Sequence, residues 1–147
     1  MPSPTNELTV SLPVSDRQQA AAFYRDTFGF DLVGDPTEDG LPEPLQYRLA
    51  EGTVLALIPS GGLDWVLGDR QLAPTGTSET LLGLTLDNEQ SVDDLVERVR
   101  RAGGEVIAAP EGQEWGYAAI CADLDGHAWQ VIADGQRRDG PDSTPGP

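Results

Sequence analysis

From Leu8 to Val14 alternate positions are apolar (Leu8, Val10, Leu12, Val14), the period of a strand with one buried face. Ser15 or Asp16 then offers an N-cap oxygen, and Ala20, Phe23, Tyr24, Thr27 and Phe28 recur at spacings of three and four, one stripe of an amphipathic helix. Gly29 predicts the helix stop and residues 30–33 a short strand. The proline-, glycine- and acid-rich stretch 35–44 reads as a loop, and residues 45–50 and 53–58 as a hairpin turning at Glu51-Gly52. Residues 59–78 form a connector that carries Trp65 and is long enough to be functional or partly structured. Beyond it Leu82, Leu84 and Leu86 alternate, Asp87 or Asn88 caps, and Val92, Leu95, Val96 and Val99 make a second helical stripe. Gly103-Gly104 stops that helix. A strand over 105–108, a loop over 110–116 and a closing hairpin of 117–122 with 128–133 follow.

The two halves therefore follow one plan. ELTVSLPVSDRQQAAAFYRDTFGFDLV from Glu7 and ETLLGLTLDNEQSVDDLVERVRRAGGEVI from Glu79 match element for element, and EGTVLALI from Glu51 pairs with DGHAWQVI from Asp125. Two copies are too few for a solenoid, so the pattern predicts an α+β fold of two pseudo-symmetric βαβββ modules. A single domain over 7–133 is expected, with modules at about 7–58 and 79–133. Residues 1–6 read as a frayed leader, and residues 134–147 as a disordered tail that cannot bury enough apolar surface to offset its ordering entropy.

Composition narrows the function. The formal net charge is -16, and the nine basic residues are all arginine. Phosphate backbones are bound by clustered basic groups, so nucleic acid is excluded as a partner and neutral or cationic ligands are favoured. Cys121 is the single cysteine, which rules out an intrachain disulfide and fits a reducing cytoplasm. No stretch approaches membrane-spanning length, so a soluble, cytoplasmic protein is expected.

VSDRQQAAAFYRDTFGF (14–30), RRAGGEVI (100–107) and ADLDGHAWQVI (122–132) together resemble the signatures of the vicinal oxygen chelate superfamily. That group holds glyoxalase I, extradiol dioxygenases, fosfomycin-modifying enzymes and bleomycin-resistance proteins. The resemblance implies curled sheets forming a cup, in a homodimer. In metal-bearing members one side chain from the first and one from the last strand of each module ligates the ion. Carried over by motif, these positions are Thr9, Ala56, Leu81 and Gln130. None is a carboxylate or imidazole, so the resemblance is to a metal-free member with no metal site and no cofactor. A two-residue slip would offer Glu7 and Glu79, but no acid matches them on the closing strands. His127 is expected in the Asp125-Gly126-His127 turn, and Cys121 as a buried small residue without a histidine partner.

If those four positions face inward, alternation brings Ser11, Pro13, Val54, Ile58, Gly83, Thr85, Ala128 and Ile132 with them, and sends Leu12, Leu55, Leu57, Leu84, Trp129 and Val131 to the helices. The inward set is small and apolar with a few hydroxyls and one amide, which leaves room for a bulky ligand. Thr9, Ser11, Ala56, Ile58, Gly83 and Gln130 are the candidate lining. Trp65, Trp115, Tyr117 and Tyr47 are candidate aromatic walls. Arg48 can hydrogen-bond a ligand carbonyl or carboxylate, but is expected to stand solvated on its strand. No inward residue is an evident general acid or base. The resulting expectation is a metal-independent protein that sequesters a bulky, largely aromatic natural-product antibiotic of the bleomycin, mitomycin or enediyne type. The alternatives are a metal-free isomerase or cyclase of secondary metabolism, and behind it a metal-dependent glyoxalase or dioxygenase.

Overall fold

The computed structural model of the chain describes residues 6–135. The expected leader, apart from Asn6, and the expected tail beyond Gly135 lie outside the described residues. The chain divides into two compact units, one ending at Pro74 and one beginning at Thr75. The first contains β1 (Leu8–Val14), α1 (Arg17–Asp26), β2 (Asp31–Leu32), β3 (Gln46–Ala50), β4 (Thr53–Pro59) and α2 (Ser60–Leu67). The second contains β5 (Leu82–Leu86), α3 (Glu89–Arg101), β6 (Glu105–Gln113), β7 (Gly116–Ala122) and β8 (Ala128–Ala133). The strand orders are β1-β4-β3-β2 and β5-β8-β7-β6, the same topology twice. In each sheet the first and last strands are parallel neighbours and the remaining pairs are antiparallel.

Helices α1 and α3 form where the pattern places them. The Asp16 carboxylate accepts the Gln19 N–H at 2.9 Å, and Asn88 accepts the Ser91 N–H at 2.8 Å. At the end of α3 the Gly104 N–H reaches the Val99 carbonyl and the Gly103 N–H that of Arg100, with Gly103 at φ 96, the left-handed stop that glycine adopts without steric cost. Val92, Leu95, Val96 and Val99 are buried against the second sheet. In the first unit Phe23 and Tyr24 form part of the buried face of α1, and Tyr24 contacts the rings of Phe28, Phe30 and Tyr47.

Two elements depart from the pattern. The connector contains α2, which has no capping side chain; its buried Leu63 and the bond from Ser60 Oγ to the Val14 carbonyl at 3.3 Å hold it instead. Strand β6 continues to Gln113, five residues beyond the strand expected over 105–108, and reduces the loop to the turn at Glu114 and Trp115. Two register shifts let it follow β7 past Pro110. As the edge strand, and within the register shift between Ala108 and Glu111 where Pro110 has no paired partner in β7, it can absorb a proline. The expected tail also begins as structure, since the Asp134 N–H donates to the Leu86 carbonyl at 2.7 Å.

The DLDGH segment is a turn built on one carboxylate. Asp123 Oδ1 accepts the N–H groups of Asp125 at 3.0 Å and His127 at 2.8 Å, and its own N–H donates to the His127 carbonyl. Gly126 holds φ 88, and a Cβ there would lie 3.1 Å from the Gly76 nitrogen. Asp123→Ala leaves two N–H groups unsatisfied and is expected to cost about 1–3 kcal/mol. Gly126→Ala should cost about 1–2 kcal/mol for the left-handed backbone alone. Denaturant titration of each variant checks both values.

Candidate functional site

Registers decide which side chains share a face. Paired residues in adjacent strands point to the same side, and neighbours along a strand to opposite sides. In the first sheet one face carries the rows Thr9–Val54–Arg48–Asp31 and Ser11–Ala56–Gln46, with Pro13 beside Ile58. The other carries Val10–Leu55–Tyr47 and Leu12 beside Leu57. In the second sheet one face carries Gly83–Gln130–Ile120–Ala108 and Thr85–Ile132–Ala118–Glu111. The other carries Leu82–Trp129–Cys121–Val106 and Leu84–Val131–Ala119.

The faces bearing Leu55 and Trp129 are those covered by α1 and α3. Tyr47 marks the first, because its hydroxyl donates to the Ala21 carbonyl of α1 at 3.1 Å. Tyr117 marks the second, donating to Asp93 of α3 at 2.6 Å. The candidate lining residues Thr9, Ser11, Ala56 and Ile58 thus share the helix-free face of the first sheet, and Gly83 and Gln130 share that of the second. Thr9, Ser11 and Gly83 are exposed, Ala56 is buried, and Ile58 and Gln130 are intermediate.

Two aromatic candidates are corrected. Tyr47 is 1% exposed and packs into the helix-side core, so it cannot wall a ligand on the opposite face. Tyr117 lies on the same side of its own sheet as Trp129 and is tied to α3. The tryptophans differ. Trp65, on α2, is 83% exposed, and Trp115, at the β6–β7 turn, is 62% exposed. α2 begins beside the helix-free face: a Cβ at Gly62 would lie 3.4 Å from Ile58 Cγ2.

The metal test turns on donors. Thr9 and Ala56 lie on the helix-free face of the first sheet, one row apart. Gln130 lies on that of the second, and exposed Leu81 precedes β5. Each unit offers a single donor at these positions, a hydroxyl in the first and an amide in the second, each beside a hydrocarbon side chain, and neither pair fits a divalent ion. Among the described residues no three His, Cys, Asp or Glu side chains converge. Glu7, the acid offered by the slipped register, pairs with Arg48 at 2.8 Å. Cys121 is buried on the helix side, and burial followed by the charge of Asp123 pushes its thiol up to about 11.

The sequence model of the Glyoxalase/Bleomycin resistance protein/Dioxygenase superfamily matches residues 8–131. The chain belongs to this superfamily. Among solved structures, hypothetical protein SA1046 from S. aureus is 26% identical, with 90% of this chain and 96% of that chain covered at a TM-score of 0.75. A glyoxalase-related enzyme from Fulvimarina pelagi is 25% identical over 89% of each chain, at a TM-score of 0.74. TnmS3, an antibiotic binding protein from Streptomyces sp. CB03234, is 28% identical over 90% of this chain and 98% of that one, at a TM-score of 0.56. Comparison with curated proteins gives no match. Among the described residues no helix is long and apolar enough to cross a membrane.

Within this superfamily fold, sequence reasoning left two polar side chains out of the site. Gln46 and Arg48 share a face with Ala56 and Val54, and their even positions on β3, opposite to Tyr47, are the signal that finds them. Two measurements check the helix-side assignments. Cys121 should resist a thiol reagent in the native protein and react once the chain is unfolded in guanidinium chloride. The Asp93 bond, followed by desolvation, raises the Tyr117 phenol from 10.0 to about 12. The stabilisation from that shift is complete below the unfolded value of 10.0 and lost as pH rises through about 12. Asp93→Asn should move the Tyr117 step of tyrosinate absorbance, assigned by its loss in Tyr117→Phe, down toward pH 10.0.

Proposed function

We propose that this superfamily member binds and sequesters a bulky, largely aromatic natural-product antibiotic without a metal ion. The observation that carries this reading is the lack of a carboxylate or imidazole at Thr9 and Ala56 in the first unit and at Leu81 and Gln130 in the second, the positions that the superfamily resemblance marks for metal ligands. Polarisation of substrate oxygens by a bound ion needs carboxylates or imidazoles there, and a hydrocarbon-rich surface serves contact instead. The likeness to TnmS3, described as an antibiotic binding protein, supports the same class of ligand.

The chemistry of binding follows from side-chain size. Gly83 has no side chain, and a Cβ added there would meet nothing within 4 Å, so a flat ring can lie close to the backbone of β5. Gln130, its neighbour on β8, offers an amide to ring substituents. Thr9 and Ser11 supply hydroxyls above the edge strand β1. Trp65 presents an exposed indole for stacking, and Trp115 a second. Residues 7–133 act as one domain of a cytoplasmic homodimer in this reading, so sedimentation equilibrium should give about twice the chain mass of 15.7 kDa.

Elemental analysis of purified protein should find no stoichiometric zinc, nickel, manganese or iron; about one tightly held ion per chain overturns the metal-free reading. Native mass spectrometry after exposure to a panel of aromatic antibiotics should show a stoichiometric, chemically unchanged adduct. Gly83→Leu should abolish it, and Trp65→Ala should weaken it by about 1–3 kcal/mol. Catalytic conversion of the ligand would make the protein an enzyme of the isomerase or cyclase type instead.

A further inference from the structure

Of the arginines in the described residues, Arg17 and Arg25 lie on α1, Arg98, Arg100 and Arg101 on α3, and Arg70 beyond α2. Arg48 alone stands on a strand, in the middle of β3 and on the helix-free face. Its guanidinium reaches Glu7, just before β1, at 2.8 Å. The sheet order is β1-β4-β3, so that reach crosses β4, where the paired residue Val54 is 1% exposed. The long arginine stem covers apolar surface while its head stays at the rim. The Arg48 side chain remains 40% exposed. The bond to Glu7 occupies part of its donor fork and orients the rest.

The charges around it set what those donors can accept. Glu7 is the ion-pair partner, and Asp31 on β2 stands opposite Arg48 on the same face. Glu7 therefore holds one carboxylate against the guanidinium, while Asp31 lies on the far side of β3, in a protein of net charge -16. An anion approaching the guanidinium meets the Glu7 carboxylate, whereas an uncharged oxygen takes the hydrogen bond without that repulsion. We infer that Arg48, held by Glu7, is a specificity-determining donor for a neutral carbonyl oxygen carried on a planar aromatic ligand. This rests on the sequestration reading and adds the chemical class of the ligand's polar edge.

The test uses an uncharged pair of planar probes that differ in one group, 9-fluorenone with its carbonyl and fluorene with a methylene, and the anion fluorenone-4-carboxylate. Affinities are measured by equilibrium dialysis against the full chain, with folding of every variant checked by circular dichroism. The wild type should bind fluorenone about tenfold more tightly than fluorene, and the carboxylate weakly. Arg48→Leu should erase the fluorenone preference and leave fluorene unchanged. Arg48→Met keeps an unbranched apolar stem and serves as the second variant should the leucine protein fail to fold. Glu7→Gln, which removes the carboxylate held against Arg48, should raise affinity for the carboxylate probe several-fold. Equal binding of fluorenone and fluorene by the wild type, or parallel loss of both in the Arg48 variants, overturns the assignment and leaves sequestration standing. If neither neutral probe binds at all, the sequestration reading falls and the assignment with it.

Discussion

In each half of this protein the first and last strands of the module lie parallel and side by side. Parallel neighbours cannot be joined by a tight turn, so everything between them serves as the crossover. For β1 and β4 that crossover is α1, the acidic loop, β2 and β3; for β5 and β8 it is α3, β6 and β7. The helix must then lie on one face of the sheet, and that face receives the large apolar side chains. Leu55, Leu57 and Tyr47 gather under α1, and Trp129, Val131 and Cys121 under α3. Because strand side chains alternate strictly, a one-residue slip would exchange the two faces, so the core itself fixes the register. The helix-free face is released from this duty, and its chemistry reports on function.

Charge is distributed to match. The arginines of α3 sit in its last turn, where they complement the helix dipole, and Arg100 and Arg101 both pair with Glu97. Such exposed pairs add little individually. Arg17 does more, because its largely covered side chain meets Asp39, the Pro42 carbonyl and Glu43 at 3.0 Å. It ties the acidic loop to the start of α1. Among the arginines of the described residues, only Arg48 has neither a helix end nor a loop to serve.

Much of this was legible in the sequence where periodicity ran long. The stripe Val92, Leu95, Val96, Val99 is the buried face of α3, and alternation from Thr9 and Gly83 separates helix-side from helix-free residues. Asp16 and Asn88 are the caps, each one of two residues the sequence offers. The failures have physical causes. α2 begins with Ser60, Gly61 and Gly62 and lacks a side-chain cap, so no local signal announces a helix that tertiary contacts hold. Pro110 looks like a strand end, and only the edge position and two bulges let β6 continue. Tyr47 and Tyr117 have the ring chemistry of a ligand wall, but alternation along β3 and β7 assigns them to the helix side.

The turn at Gly126 has a consequence for how the chain can be re-cut. Its backbone lies against Gly76, so the segment leading into β5 is docked on its own unit before the first strand begins. Circular permutants or split halves that open the chain after Gly76 would strip away that packing and expose the tight turn. An opening among residues 69–74, where the chain is in turns or irregular backbone, keeps the lead-in with the sheet it supports.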